Sequence, residues 1–491
     1  MSTRRRFTFT LRAKTPIHFG GNLQGALLLD GDDKPFVSGN SIGGALRSWL
    51  NASSEVISAD IMYYLGGPKK SIDEKEEFEE SRVYISDGHL KLPDNPLVID
   101  QGNAGLLAME GTAVDPKTGS ALNNHKYTRY DLPQGTELVF TVECDTNPEE
   151  TTSPKEADIT DAAHVRLSFT KLIYTWATAI HRGELRFGGQ KSNGHGRFSL
   201  EHLTCREFLF DSSEALEQFI FNRHKGEEKD CTEDARKYVE YILGHPTIEL
   251  SLKGHFPYGV YQSYTDREQS KEHGTQVTGL LRSVDETYYL PGSSIKGILR
   301  HEMRRLLFRM LPDQERSIAE REIRVDTLLQ EWFGSQDKIG SVMVSNVVID
   351  EVSEMNIERI NNQNTKPTYN RIDRITGGVI DGALKTQNEV RGSAEIRLEL
   401  RVGKDVEDVK YAEGKLFPLI YLLRNIGSGL LPLGGRTVIG LGQFEAKETE
   451  VYLDGDILRF SNTGPLDEKG QAELKVYYDL FVAFLNKEGE A

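Results

Sequence analysis

Two glycine-rich stretches decide the fold of this chain: Phe187-Gly-Gly-Gln-Lys-Ser-Asn-Gly-His-Gly-Arg-Phe198 and Leu433-Gly-Gly-Arg-Thr-Val-Ile-Gly-Leu-Gly-Gln-Phe444. Both follow the pattern Gly-Gly-x-x-x-x-Gly-x-Gly-x-Phe, and each precedes a strand-like segment. Glycine permits backbone angles that other residues avoid, and it lets a phosphate approach backbone N–H groups closely. One such loop is most simply a wide hairpin. Two in register indicate an internal repeat.

Three further motifs repeat in the same order. Ser38-Gly-Asn-Ser-Ile-Gly-Gly-Ala-Leu-Arg47 matches Pro291-Gly-Ser-Ser-Ile-Lys-Gly-Ile-Leu-Arg300; Val83-Tyr-Ile-Ser-Asp87 matches Val342-Met-Val-Ser-Asn346; Val114-Asp-Pro-Lys-Thr-Gly119 matches Ile372-Asp-Arg-Ile-Thr-Gly377. Four motifs in one order at nearly equal intervals predict two homologous domains. We place the first domain at 1–205, a charged helical connector at 206–245, the second domain at 246–455, and a C-terminal segment with an amphipathic helix at 456–491.

Each repeat predicts the same order of elements: strand, helix, strand, strand, helix, strand. Phe7–Leu11 and Ile248–Leu252 alternate like strands. The helix after Pro291 has a predicted buried stripe of Ile295, Leu299, Met303, Leu306 and Met310. The order is that of an α+β fold of two tandem ferredoxin-like domains, with helices on one face of an antiparallel sheet.

Composition limits the class of protein. A chain of 491 residues needs at least two domains. The three cysteines form no C-x-x-C pair, which excludes a disulfide framework and a structural zinc site. The sequence shows neither an apolar run of about 18 residues nor a signal peptide, so we expect a cytoplasmic protein without membrane contact. A net charge of −16 argues against diffuse nucleic-acid binding, so any such site must be local.

The two loops differ in the donors that they offer to a sugar-phosphate backbone. The first loop carries Lys191, Asn193, His195 and Arg197, and the second offers Arg436 and bare amides. Neither loop has the Gly-Lys-Ser/Thr ending of a phosphate loop or the position of a dinucleotide motif, so we predict no nucleotide cofactor.

The helix after Pro291 has a row of positive charge. Lys296, Arg300 and Arg304 recur every four residues, whereas the first repeat has only Arg47 in this row. The first turn of a helix also has free N–H groups, here beside Ser293 and Ser294 and, in the first repeat, beside Ser41. The pattern favours an anion site narrowly over a solvated face.

Together these motifs resemble those of the RAMP superfamily of CRISPR-associated proteins, and the resemblance covers both repeats. It rests on P-G-S-S-x-x-G-x-x-R, the S-D element, I-D-R-x-T-G and the late glycine loop. The tandem layout is similar to the double backbone subunit of type III-D effector complexes. The resemblance implies a β-hairpin "thumb" in each repeat, at about Thr112–Tyr127 and Thr365–Val390, and an RNA contact at Arg374.

The resemblance also implies a function. Such subunits bind guide CRISPR RNA beside complementary target RNA, within a complex of other RAMP subunits and large subunits. Family members can cut the target with an aspartate in the loop before the first helix, assisted by Mg²⁺ or another divalent cation. Asp30 and Asp266 are the candidates here, although Gln24 lies nearer to the family's catalytic position. Whether this chain cuts RNA stays open, and no metal ligand is assigned.

Two alternatives remain at this point. One is a stand-alone endoribonuclease that matures CRISPR transcripts, which would need a catalytic histidine near the RNA. The other is a RAMP-derived scaffold that binds only protein partners. Two complete motif sets oppose the first alternative, and the acidic balance permits the second.

Overall fold

The structure, a computed structural model, describes every residue except 1, 21–26, 53–57, 71–75, 94–105, 116–120, 147–167, 222–227, 239–246, 267–269, 271–275, 283–286, 312–316, 336–338, 355–357, 361–362, 366–367, 403–405, 454 and 488–491. The chain divides into two compact units. The first unit comprises residues 1–114, 121–191 and 195–246, and the second comprises 115–120, 192–194 and 247–491. No helix among the described residues is both long and apolar enough to span a membrane.

The first unit combines helices with antiparallel strands. Its strands are β1 (Ser2–Ala13), β2 (Phe36–Val37), β3 (Gly67–Lys70), β4 (Glu76–Glu79), β5 (Val83–Ile85), β6 (Gly88–Lys91), β7 (Leu107–Val114), β8 (Ala121–Asp131), β9 (Glu137–Thr146), β10 (Phe198–Phe210) and β11 (Glu228–Asp230). Its helices are α1 (Gly39–Ala52), α2 (Ser58–Leu65), α3 (Phe169–Arg182), α4 (Ser213–Phe221) and α5 (Thr232–Arg236).

The second unit repeats this plan with insertions. Its strands are β12 (Thr247–His255), β13 (Tyr264–Asp266), β14 (Gln276–Gly279), β15 (Leu281–Arg282), β16 (Tyr288–Leu290), β17 (Val342–Val344), β18 (Val347–Glu354), β19 (Glu358–Ile360), β20 (Gln363–Thr365), β21 (Thr368–Tyr369), β22 (Lys385–Gln387), β23 (Val390–Arg401), β24 (Glu445–Leu453) and β25 (Asp456–Ser461). Its helices are α6 (Gly292–Met310), α7 (Ile318–Phe333), α8 (Val406–Glu413), α9 (Leu416–Gly427) and α10 (Glu468–Lys487).

The two main sheets have the same topology. In the first unit the neighbouring strands are β10, β1, β9 and then β6, with β5 also paired to β9. In the second unit they are β24, β12, β23 and then β18, with β17 also paired to β23. Both sequences read fourth, first, third, second along the ferredoxin-like order, with α1 and α3, or α6 and α9, as the two helices. The predicted α+β fold of two tandem ferredoxin-like domains is therefore confirmed.

Each unit has its own apolar core between helices and sheet. In the first unit Phe9 stacks on Phe140 across β1 and β9, with ring centroids 4.9 Å apart, and Trp176 of α3 is fully buried beside them. In the second unit Ile295, Leu299 and Met303 of α6 are fully buried. The stripe then continues to Leu307 and not to the predicted Leu306, because four-residue steps keep side chains on one face.

Helix α3 shows how the sequence sets the position of the glycine loop. Ser168 begins the helix by accepting a hydrogen bond from the N–H of Lys171, and Gly183 ends it in the left-handed conformation with φ 76°. In the second unit Gly429, just beyond α9, adopts φ 75°. The chain then turns sharply into each glycine loop, so both loops leave the helix layer at the same place.

The segment predicted as a connector is partly built into the first unit. Strand β10 runs past the predicted limit at 205 because it pairs with the whole of β1, as far as Ser2 opposite Phe210. Strand β11 adds to the same sheet, and the Thr178 hydroxyl donates to the carbonyl of Ala235 in α5 at 2.7 Å. The C-terminal helix α10 likewise packs into the second core, where Phe484 contacts Trp332 at 5.4 Å between ring centroids.

Candidate RNA-binding site

The two glycine loops have the same backbone conformation. The residue after the paired glycines is left-handed in both loops, with φ 57° at Gln190 and φ 58° at Arg436. A short 3-10 turn follows, over Lys191–Asn193 in the first loop and Thr437–Ile439 in the second. Six glycines have positive φ at matching positions: Gly188, Gly194, Gly196, Gly434, Gly440 and Gly442. The repeat seen in the sequence is thus a repeat of local geometry.

Each loop is held against the segment that follows the first strand of its unit. The N–H of Gly189 donates to the carbonyl of His18, and the N–H of Gly435 donates to that of Tyr261, both at 2.7 Å. A Cβ at Gly188 would crowd the same His18 carbonyl. The loop therefore needs glycine there, because two backbones approach closely. His18 and Tyr261 occupy equivalent places in the two units.

The S-D element has a structural role at the start of the first helix. The N–H of Gly39 donates to the carboxylate of Asp87 at 2.7 Å, and the N–H of Gly292 donates to the side-chain carbonyl of Asn346 at 2.9 Å. Asp87 follows strand β5, and Asn346 follows strand β17. This contact fixes the helix start next to that strand in each unit and uses one of the free N–H groups of the first turn.

A cavity of about 340 Å³ lies in the first unit between α1 and the glycine loop. Helix α1 presents a lining of small residues there, and the loop presents its backbone and one lysine. The polar groups and glycines that line the cavity are His18, Gly20, Ser38, Ser41, Gly44, Ser48, Gly188, Gly189 and Lys191. Such a concave site, with hydroxyls, a cation and exposed backbone, can hold part of a sugar-phosphate chain.

A buried charged cluster lies beneath this cavity. Asp131, at the end of the thumb strand β8, is fully buried and binds Arg129 through two bonds of 2.7 Å. It also contacts His18 Nδ1 at 3.2 Å and His195 Nε2 at 3.1 Å. Burial alone would raise the pKa of Asp131, but the hydrogen bonds from His18, His195 and Arg129 outweigh it and hold the pKa well below its usual range.

The predicted donors of the first unit fall into two groups. Ser41 and Lys191 line the cavity. His195 is only 2 % exposed, and its Nε2 contacts the carboxylate of Asp131, so its side chain packs into the protein. Arg47 donates to the carbonyls of Leu65 and Gly66, the latter at 2.6 Å. Its side chain therefore ties α1 to the end of α2.

The remaining residues of the first loop are half-buried. Asn193 ends the 3-10 turn, and the N–H of Arg197 donates to the Thr15 hydroxyl at 3.1 Å. Both lie on the loop that borders the cavity, but neither lines it. The RNA contact that the sequence predicts for Asn193 and Arg197 stays a prediction.

In the second unit Lys296 is influenced by two other cations, Arg300 of the same row and Arg401 of β23. Lys296 is half-buried, and burial together with repulsion from Arg300 and Arg401 lowers its pKa to about 8. Among the residues that the structure describes, no carboxylate contributes to this shift. Arg401 ends β23, and the sequence reading missed it because it lies far along the chain from α6. Glu399 acts on Arg401, where its charge opposes the effect of burial. A cluster of three cations of this kind favours an anionic ligand.

Arg300 and Arg304 also contact protein groups. Arg300 donates to the carbonyl of Gly334 at 3.5 Å, which matches the place of Arg47 in the first unit. Arg304 pairs with Asp326 of α7 at 3.0 Å. Since Asp326 neutralises Arg304, that residue is the weakest RNA candidate in the row.

The serines at the start of α6 stay close to solvent. Ser293 is exposed and Ser294 is half-buried, and the N–H of Ser294 donates to the carbonyl of Pro291 at 2.9 Å. Arg436 of the second loop lies over the rings of Tyr261 and Tyr369, 6.0 and 5.2 Å from their centroids. One of its terminal nitrogens is buried without a hydrogen-bond partner among the described residues.

Both thumbs are hairpins in the described chain. In the first unit β7 pairs with β8 from Leu107 to Val114, and the tip at 116–120 lies outside the described residues. In the second unit β21 pairs with β22, and a tight turn follows at Asp373. The N–H groups of Thr376 and Ile375 lower the pKa of Asp373 by bonding its carboxylate. Arg374 is exposed at this turn, and Ile375 is 94 % exposed.

Of the two candidate catalytic aspartates, the structure describes the side chain of Asp30 but not that of Asp266. Asp30 is exposed in a tight turn, where one carboxylate oxygen accepts the N–H groups of Asp32 and Lys34 at 2.9 Å each. Asp266 ends β13, and its side chain lies outside the described residues, as does Gln24. Among the described residues, no three His, Cys, Asp or Glu side chains form a metal-binding group. We therefore assign no metal ligand among the described residues.

Two ferredoxin-like domains in one chain, each with a glycine loop bonded to the segment after its first strand, form a tandem repeat architecture. The chain belongs to the RAMP superfamily, whose family model matches residues 10–199 and 253–445. Membership of this superfamily supports a CRISPR-associated RNA-binding subunit. A comparison with curated proteins found no match.

Proposed function

We propose that this protein is a guide-RNA-binding backbone subunit of a type III CRISPR interference complex and supplies two consecutive RAMP units. The observation that supports this most strongly is the doubled site. The same glycine loop, with the same left-handed residues at Gln190 and Arg436, stands against the same segment in both units. A guide RNA running along both units would meet two similar binding places in succession.

The two places would hold RNA by different means. The first unit offers a cavity with the hydroxyls of Ser38 and Ser41 and the ammonium of Lys191. The second offers the cluster of Lys296, Arg300 and Arg401. Since phosphate contacts from cations carry the salt-dependent part of RNA affinity, the second unit should contribute most of that dependence.

The thumbs extend the proposal to the guide–target duplex. Ile375 at the turn of the second thumb is a large apolar side chain that is almost fully exposed, and Arg374 lies next to it. An exposed apolar side chain can insert between stacked bases, and an adjacent arginine can bind the phosphate backbone. We therefore place complementary target RNA, together with neighbouring RAMP and large subunits, among the partners.

Replacing Lys296 with alanine should weaken guide-RNA binding and reduce the slope of log affinity against log salt by about one unit, because one phosphate contact is lost. The measurement is a salt titration of RNA binding by fluorescence anisotropy. Arg304→Ala is the matched control on the same helix, since Arg304 pairs with Asp326. An unchanged affinity and slope for Lys296→Ala would mean that the row is only a solvated face.

Target cleavage, if this subunit performs it, should run through Asp266. Asp30 already uses one carboxylate oxygen to hold its own turn, whereas Asp266 ends a strand at a polar loop. We expect Asp266→Ala in the assembled complex to remove one cut in the target while guide RNA stays bound, and Asp30→Ala to leave all cuts in place. Mapping cut sites on labelled target RNA, with added Mg²⁺ and with chelator, decides this. Unchanged cutting in both variants would make the subunit a non-catalytic RNA holder.

The same RNA measurements separate the two alternatives. A scaffold that binds only protein partners would show no salt-dependent affinity for guide RNA, and Lys296→Ala would then have nothing to reduce. A stand-alone endoribonuclease would cut a CRISPR transcript without any other subunit. Either result would overturn the proposed backbone role.

A further inference from the structure

The buried cluster beneath the first cavity has one member that reaches the cavity. Asp131 and His195 are buried and Arg129 is half-buried, whereas His18 lines the cavity together with Lys191. His18 Nδ1 contacts both the Asp131 carboxylate, at 3.2 Å, and the carbonyl of Tyr130, at 2.9 Å. This nitrogen is therefore committed to the protein.

The other edge of the His18 ring faces the cavity. A Cβ at Gly20 would lie 3.6 Å from Nε2, and a Cβ at Gly189 would lie 3.5 Å from Cδ2. Both glycines line the cavity. Neither glycine carries a side chain that could cover the ring edge, and Nε2 makes no hydrogen bond within the described part of the chain, so it is the nitrogen left to meet a ligand.

We propose that His18 binds a phosphate of the RNA in the first unit, and that it makes the affinity of this unit for guide RNA dependent on pH. The inference rests on the proposed function, since it assigns a further contact and its regulation to the same RNA-binding site. The ligand is a phosphate of the RNA backbone, which meets the Nε2 edge of His18 beside Lys191.

The charges around His18 give the sign of the effect. Asp131 and Arg129 face it from β8, and His195 and Lys191 face it from the glycine loop, whereas the described lining of α1 adds only small residues and serines. Arg129 already balances Asp131, so a protonated His18 gives the cluster a net positive charge. The hydrogen bond to Asp131 raises the pKa of His18 against the opposing effect of burial. Affinity should therefore fall as pH rises through that raised pKa.

The second unit has no histidine at this place. Tyr261 stands where His18 does, its hydroxyl donates to Thr278 at 2.9 Å, and Leu441 replaces His195 in the loop. Lys296 titrates in an overlapping range, since its pKa is about 8. A test of His18 must therefore keep the charge at position 296 constant, which Lys296→Arg does.

The experiment measures guide-RNA affinity of the full chain in the Lys296→Arg background between about pH 6 and about pH 9, an interval that contains the histidine range. The affinity should fall about tenfold across it, and His18→Asn should flatten the profile, because asparagine keeps a donor toward Asp131 but lacks the far ring nitrogen. His202→Asn, a change of an exposed histidine on β10, is the control and should keep the slope.

A second measurement covers the case in which His18→Asn disturbs the fold. Calorimetry in buffers of different ionisation enthalpy should show that RNA binding takes up protons near neutral pH in the parent, and that His18→Gln removes this uptake. RNA binding that persists with an unchanged pH profile in both His18 variants would overturn the inference and leave the proposed function intact. Absence of RNA binding at every pH would instead overturn the proposed function.

Discussion

Replacing Asp131 with alanine is expected to lower the free energy of unfolding of the first unit by about 3 to 5 kcal/mol, because it leaves the largely buried Arg129 guanidinium without its counter-charge. Asp131 accepts two bonds from Arg129 and contacts His18 and His195. These partners join the thumb strand, the segment after β1 and the glycine loop. Urea unfolding, monitored by hydrogen exchange of peptides from each unit, measures the loss of unfolding free energy.

The control for this change is an ion pair at the surface of the same sheet. Asp145 binds Arg4 at 2.6 Å, but both side chains are partly exposed. Asp145→Ala should cost less than about 1 kcal/mol, since solvent screens such pairs. Equal losses for the two variants would contradict the view that the buried cluster holds the first loop in place. Hydrogen exchange in the second unit should stay unchanged in both variants.

Backbone features were the part of the site that the sequence could predict. Positive φ is costly for residues with a Cβ, so glycines at Gly188 and Gly434 record the loop geometry directly in the sequence. The spacing of the motifs likewise predicted the duplication, because each motif occupies one position in the same ferredoxin-like topology. Strand β10 continues past residue 205 to Phe210, because it pairs with β1 as far as Ser2.

The state of individual side chains could not be predicted. His195 lies in a glycine-rich loop and reads as an exposed donor, but Asp131, 64 residues away, buries and binds it. Arg304 reads as part of a cationic row, but Asp326, 22 residues away, pairs with it. In both cases the deciding partner comes from another element, and a single sequence carries no record of which distant residues meet.

The same reason explains what the sequence reading missed. Arg401 ends β23 and reaches Lys296 only because the strand and α6 lie in adjacent layers of one unit. His18 reads as an isolated histidine, and no local motif connects it with the cavity that it lines. Aligning the two repeats with each other could have drawn attention to His18 and Lys296. The repeats differ at these positions, since Tyr261 takes the place of His18 and Gly43 takes the place of Lys296.

The second large effect is expected at the last glycine of the second loop. Gly442 has φ 80°, and a Cβ there would overlap the carbonyl oxygen of Leu433. Its own N–H and carbonyl are both used, in bonds of 2.8 Å to Gly259 and Leu433. Gly442→Ala should therefore lower the free energy of unfolding of the second unit by about 3 kcal/mol or more, since neither backbone can move aside.

Gly440→Ala separates the two causes of this loss. Gly440 is also left-handed, with φ 96°, but a Cβ there would meet no atom within 4 Å. It should cost only the backbone term, about 1 to 2 kcal/mol. Hydrogen exchange of peptides from β24 and the loop measures both variants. Guide-RNA affinity should fall more for Gly442→Ala, because the displaced loop no longer holds Arg436 over the rings of Tyr261 and Tyr369. If the two variants lost equal stability, close backbone approach would not be the reason for glycine at position 442.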